Sequence, residues 1–129
     1  LGHPLAREEH LPFELFIAQN LALDGLLYPL IYGSYIDDSL ARKGGTTISM
    51  LTSFMPEWHA ESARWIDAVV KVAAAENADN HSLISSWFQR YADQAQAALA
   101  PIAEIALGPV LQAVRDALTA RARKAGLAV

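Results

Sequence analysis

The chain contains no cysteine among its 129 residues. Disulfides and thiolate metal ligands are therefore excluded, and a cytoplasmic setting is the expectation. Charge is also sparse: 19% of residues are charged against 53% apolar. That balance suits a chain that hides more surface than a solitary small domain does. The formal charge is −4, and the densest basic segment, Arg121, Arg123 and Lys124, falls where a helix is expected to end. Cations there favour the helix dipole, so no nucleic-acid partner is expected. Runs of β-branched residues are few while alanine and leucine dominate, which sets an all-α expectation. The chain opens on Leu1 rather than Met, as a processed or trimmed product would, and it shows no signal peptide.

Only one stretch is long and apolar enough to imitate a membrane span. Between Leu15 and Ile36 the sole formal charge is Asp24. Gln19, Asn20 and Pro29 also lie inside it, and an aspartate near a bilayer centre costs about 2.5–3.5 kcal/mol. A helix covered by protein on most sides, rather than by lipid, is the expectation.

Glycine and proline punctuate the rest. The first helix is expected to begin near Leu11 or Pro12 and to run its apolar stripe through Phe16, Leu23 and Leu27. Pro29 should kink or end it, with helix resuming to about Leu40 before the stop at Lys43-Gly44-Gly45. Thr46 or Thr47 could cap the second helix. Its stripe repeats every seven residues through Leu51, Trp58, Trp65 and Val72, flanked by Phe54, Met55, Ala68 and Val69. Such a stripe asks for a partner helix at a shallow crossing angle. Pro56 calls for a kink or a fresh start, and Asn77 to Asn80 for a break. From Asn80 a third helix carries Ile84, Trp87, Phe88, Tyr91, Ala95, Ala98, Ile102 and Ile105 in steps of three and four, with a new start expected at Pro101. Gly108 and Pro109 punctuate again. The last helix spans Val110 to Lys124, places Leu111, Val114 and Leu118 on one face, and stops at Gly126. About four or five helices joined by short loops make a helical bundle, read as one domain over residues 1–129.

A bundle raises the question of a di-metal centre, which needs inward-facing Glu and Glu-x-x-His sets. No acidic residue here is followed three positions later by His. In Glu57-Trp58-His59-Ala60-Glu61 the two carboxylates share a face, but His59 points about 160° from Glu57. Glu61 is instead placed to pair with Arg64. A nucleophile elbow and a glycine-rich phosphate loop are missing as well. His3, His10, His59 and His81 are scattered and read as surface or capping residues. Asp24, in an apolar helix, reads as a structural carboxylate held by an Arg or by backbone donors; a ligand or catalytic carboxylate is the alternative. Trp58, Trp65 and Trp87 read as core or interface anchors, with a substrate-cavity lining as the alternative. No catalytic, cofactor-binding or metal-binding residue is assigned. The residues thus describe an α-helical interaction or scaffolding subunit; a stand-alone helical interaction module and a small metalloenzyme are the competing readings.

Three stretches carry a resemblance. Leu15-Phe16-Ile17-Ala18-Gln19-Asn20 with Asp24-Gly25-Leu26-Leu27-Tyr28-Pro29-Leu30 is the first. Gly44-Gly45-Thr46-Thr47-Ile48-Ser49-Met50-Leu51, followed by Pro56-Glu57-Trp58 and Arg64-Trp65-Ile66-Asp67-Ala68-Val69-Val70-Lys71, is the second. Ala100-Pro101-Ile102-Ala103-Glu104-Ile105-Ala106-Leu107-Gly108 and Arg123-Lys124-Ala125-Gly126-Leu127 form the third. Together they resemble hydroxylase β subunits of the soluble di-iron multicomponent monooxygenases, with wording similar to the phenol hydroxylase and toluene 2-monooxygenase subgroup. The resemblance implies an all-α, ferritin-like (ribonucleotide-reductase-like) fold without iron ligands of its own. It implies hydroxylase α and γ subunits as partners in an (αβγ)2 dimer of heterotrimers, with the di-iron centre in the α subunit hydroxylating an aromatic ring. It also implies a small coupling protein and an NADH-dependent reductase carrying FAD and a 2Fe-2S cluster. Family β chains are longer, so these residues would be the C-terminal portion of one.

Overall fold

The computed structural model describes residues 7–31, 54–106 and 110–129. Among them every regular element is helical: α1 (Arg7–Phe16), a π-helical stretch (Ile17–Leu23), α2 (Asp24–Tyr28), α3 (Phe54–Glu76), α4 (Ala78–Ala106) and α5 (Val110–Lys124). Leu40, Lys43 to Thr47, Leu51, Gly108 and Pro109, where the sequence suggested helix ends, a cap and part of a stripe, lie outside the described residues.

The first helical run differs most from expectation. It starts at Arg7, so Pro12 sits inside α1 rather than in its first turn. Pro12 is the sixth residue of the helix, past its first turn, so it removes one helical N–H donor. Beyond Phe16 the backbone widens into a π-helix, in which the Asp24 N–H donates to the Gln19 carbonyl five residues back. The reason is visible in the burial pattern. The large fully buried side chains of this run are Ile17, Leu21, Leu26 and Leu30, a spacing of four, five and four. A 3.6-residue period would rotate that set off the core, whereas i→i−5 turns hold it in line. Leu23, expected in the stripe, is turned outward. Pro29 does not end the run: its backbone stays helical and π-type turns continue through residue 31.

α3 opens two residues before Pro56, which therefore occupies the first turn, where no N–H is required. Its buried face is Ile66, Val70 and Ala74. Phe54, Trp58, Trp65 and Val72 lie off that face and are more than half exposed, so of the two readings offered for the tryptophans, Trp58 and Trp65 are not core residues of this chain. Smaller side chains allow the closer helix approach on the core side. Asn77 alone separates α3 from α4, which starts at Ala78 rather than Asn80. The Asn77 side-chain oxygen caps α4 by accepting the Asn80 N–H at 2.8 Å. Asn80 is itself buried and donates its side-chain amide to the Ala73 carbonyl at 3.3 Å, tying the turn together.

α4 passes through Pro101 without a new start, contrary to expectation, and reaches Ala106. Its core residues are Ile84, Trp87, Phe88, Ala92, Ala95 and Leu99; Ala98 is exposed, and the Ile102 and Ile105 side chains lie outside what is described. α5 matches its expected span, with Leu111 and Leu118 buried and Val114 packed against them. Gly126, at φ 96°, closes it. The Gly126 N–H donates to the Arg123 carbonyl at 2.9 Å and the Leu127 N–H to the Ala122 carbonyl at 3.1 Å, a Schellman cap that buries Leu127. The Ala128 N–H then docks on the buried Ser85 hydroxyl of α4 at 3.0 Å.

Paired side chains fix the directions of the helices. Phe13 meets Trp87, and the Tyr91 hydroxyl donates to Glu14 at 2.7 Å, so α1 runs parallel to α4. Phe16 meets Trp65 and Tyr28 meets Trp58, so the first run lies antiparallel to α3. Buried Arg115 pairs with Asp93 at 2.8 Å and donates to Gln96 at 3.2 Å, setting α5 antiparallel to α4. Where α2 crosses α5, Gly25 lets Leu118 approach so closely that an added Cβ would lie 2.5 Å from it. The result is a helical bundle.

Candidate functional site

The acidic and histidine residues are spread over several helices. Glu57 and Glu61 are on the exposed side of α3, and Glu61 forms an ion pair with Arg64 as its spacing suggested. His59 turns toward the bundle, so the three do not converge. They do not fit a carboxylate-bridged di-iron centre, and no group of three or more potential metal ligands gathers among the described residues. His10 packs edge-on against Trp87 at 6.0 Å. His81 is half-buried, and His3 lies outside the described residues.

His59 was missed as a site residue by sequence reasoning. Its ring stacks on Tyr28, with centroids 4.9 Å apart and planes at 3°. It lines a cleft of about 420 Å³ between α2, α3 and α5, with Pro29, Ala63, Val114, Leu118 and Arg121 among the other walls. Burial pushes its pKa below the ordinary 6.5, and the nearby Arg121 guanidinium adds to this, while Asp67 opposes it. Arg121 itself is held by Asp67: its Nε donates to the two carboxylate oxygens at 2.8 and 2.9 Å. The sequence sets His59 between Glu57 and Glu61, but only the contact across three helices turns it from an expected surface residue into a cleft wall.

Asp24 is half-buried at the end of the π-helical stretch, and burial raises its pKa above the ordinary 3.8. Among the described residues no Arg, Lys or other donor holds its carboxylate, so the anchoring partner expected from the sequence is not found there.

The most extensive feature is a surface. Phe54, Trp58, Trp65 and Val72 run along the outward side of α3 with relative exposures of 60, 54, 63 and 63%. Trp65 rests edge-on against Phe16 at 5.9 Å, and Trp58 leans on Tyr28 at 5.8 Å. The rings are thus held by the first helical run while presenting their outer faces. Trp87, by contrast, is a core residue. Aromatic residues this exposed, in a row, make this side of α3 the candidate interaction surface. No helix among the described residues is long and apolar enough to cross a membrane.

The described helices thus form an all-α bundle with an exposed aromatic row on α3. Comparison with known proteins makes the class specific. The chain belongs to the methane/phenol/alkene hydroxylase family, whose sequence model matches residues 9–77, and its helices fit that family's ferritin-like, all-α fold. It is 46% identical over 116 residues to the phenol 2-monooxygenase oxygenase component DmpL of Pseudomonas sp. (strain CF600), covering 89% of this chain and 35% of that protein. It is 36% identical over 116 residues to the phenol 2-monooxygenase oxygenase component MhpL of Acinetobacter pittii (strain PHEA-2), with the same 89% and 35% coverage. The chain thus spans about a third of the length of these curated relatives. No solved structure matches it.

Proposed function

We propose that this chain is the C-terminal portion of a non-catalytic, structural β-type subunit in a multicomponent phenol-type aromatic monooxygenase. In this reading it scaffolds a di-iron α subunit within an (αβγ)2 hydroxylase. The iron chemistry belongs to that α subunit, and the reductase supplies electrons from NADH through FAD and a 2Fe-2S cluster under a coupling protein. The carrying observation is the exposed row of Phe54, Trp58, Trp65 and Val72 on α3, braced from behind by Phe16 and Tyr28. Tryptophans in such rows supply much of the binding energy at subunit contacts. The names of the relatives, oxygenase components of phenol 2-monooxygenase, support the choice of assembly.

Co-purification with the other oxygenase components of the same system is the test. Stable association is expected, and Trp58→Ala with Trp65→Ala should weaken it by about 2 kcal/mol or more, near thirtyfold. A chain that stays a monodisperse, cooperatively folding monomer in their presence would instead be a stand-alone interaction module. Iron analysis of the purified chain should give almost none; a stoichiometric amount would overturn the non-catalytic assignment.

A further inference from the structure

Beside the tryptophan row, α3 and α5 enclose a small basic depression of about 330 Å³ lined by Arg64, Asp67, Lys71, Arg121 and Lys124. Two of its cations are already matched: Asp67 holds Arg121, and Glu61 pairs with Arg64. Lys71 and Lys124 are exposed, and neither is paired with a carboxylate among the described residues. Lys124 sits at the α5 C-terminus, where the helix dipole favours a cation, whereas Lys71 lies within α3 without such support. With Arg64 and Arg121, the two lysines face one concavity.

We propose that this depression receives an aspartate or glutamate side chain from the partner subunit that covers the tryptophan row, so that the partner contact is apolar along α3 and acidic on its α5 flank. The inference rests on the subunit reading above and adds the chemistry of the partner. Continuity argues for it: Arg64 adjoins Trp65 and Lys71 adjoins Val72, about 100° round the helix. A partner helix laid along the row would therefore carry its flanking positions over the depression. Coulomb attraction between the walls of two helices is less screened than on open surface. Lysine ammonium groups act as point charges and suit a single carboxylate without the planar geometry an Arg fork demands.

The test measures binding of the full chain to the remaining oxygenase components of its system across a range of salt. Lys71→Glu with Lys124→Glu should weaken association roughly tenfold or more at low salt, with the gap closing at high salt as the Debye length shortens. Lys71→Arg with Lys124→Arg should bind as the parent does, and Trp65→Ala should lose affinity without altering the salt slope. If the charge-reversed pair binds as tightly as the parent while Trp65→Ala weakens binding, the acidic contact is refuted and the subunit reading stands. If the parent chain binds no component, the subunit reading fails and takes this one with it. Short duplex DNA and anionic vesicles serve as further probes: capture by the parent but not by the reversed pair, with subunit association unmoved, would reassign the depression to phosphate and overturn the proposal.

Discussion

Single residues store their effects in different ways, and Gly126 is the cleanest case. Its φ of 96° lies where a side chain is strained, yet nothing stands within 4 Å of where a Cβ would go. Gly126→Ala should therefore cost about 1–2 kcal/mol from backbone strain alone. Denaturant unfolding of the full chain should show a lower midpoint with an unchanged slope. Asp24 and His59 work through protons. Burial raises the Asp24 pKa above 3.8, so the folded state holds its proton more tightly than the unfolded one. Its contribution is present at pH below 3.8 and is lost as pH rises through the higher folded value. Asp24→Asn should stabilise the protein at neutral pH, and the gain should vanish in acid. His59 has the opposite sense: its folded pKa lies below 6.5, so stability is full above 6.5 and falls as pH drops toward the folded value. His59→Phe should flatten that acid-side slope in a series of melts from pH 7.5 to about 5. A slope unchanged by the substitution would mean that His59 is not the group responsible.

At the scale of elements, what could be read from the sequence depended on whether one period dominated. α5 has a single apolar stripe, a basic last turn and a glycine stop, and its span was legible residue for residue. The first run is apolar nearly all round, so the sequence offered no single phase. The structure selects Ile17, Leu21, Leu26 and Leu30, a set that requires π-type turns. α3 carries two apolar stripes, and the larger residues attracted the assignment to the core. The Ile66, Val70 and Ala74 stripe is the one that packs, because smaller side chains permit closer contact. The tryptophan row is therefore legible as a pattern, with core and interface both open as its setting, and His59 is legible only as a surface or capping residue. Proline was over-read. Pro101 lies inside a continuous α4, where it removes one backbone donor and crowds the preceding turn. Restoring the donor with Pro101→Ala should raise stability by about 1–3 kcal/mol. A loss of stability would show that α4 depends on a bend at Pro101.

For the molecule as a whole, what holds the bundle and what faces outward are carried by separate residues, so folding and assembly should be separable by mutation. Phe88 is fully buried at the centre of α4, and Phe88→Ala should cost about 3–5 kcal/mol through lost burial and the cavity left behind. Trp58 and Trp65 expose more than half of their surface, and their rings meet Tyr28 and Phe16. Replacing both with Ser should cost about 1–3 kcal/mol through the two lost ring pairs, less than Phe88→Ala, and should reduce self-association of the isolated chain, since it removes an exposed apolar row. The same double variant should fail to assemble with its partner components. Thermal unfolding and sedimentation of the two variants side by side supply the readout. If the tryptophan variant unfolds as Phe88→Ala does, the row is part of the fold's own core support and the division into packing face and docking face is wrong. If it melts well above Phe88→Ala yet stays unassembled, the outward side of α3 is reserved for another subunit, and the low charge content and high apolar fraction of this chain follow from a surface meant to be covered.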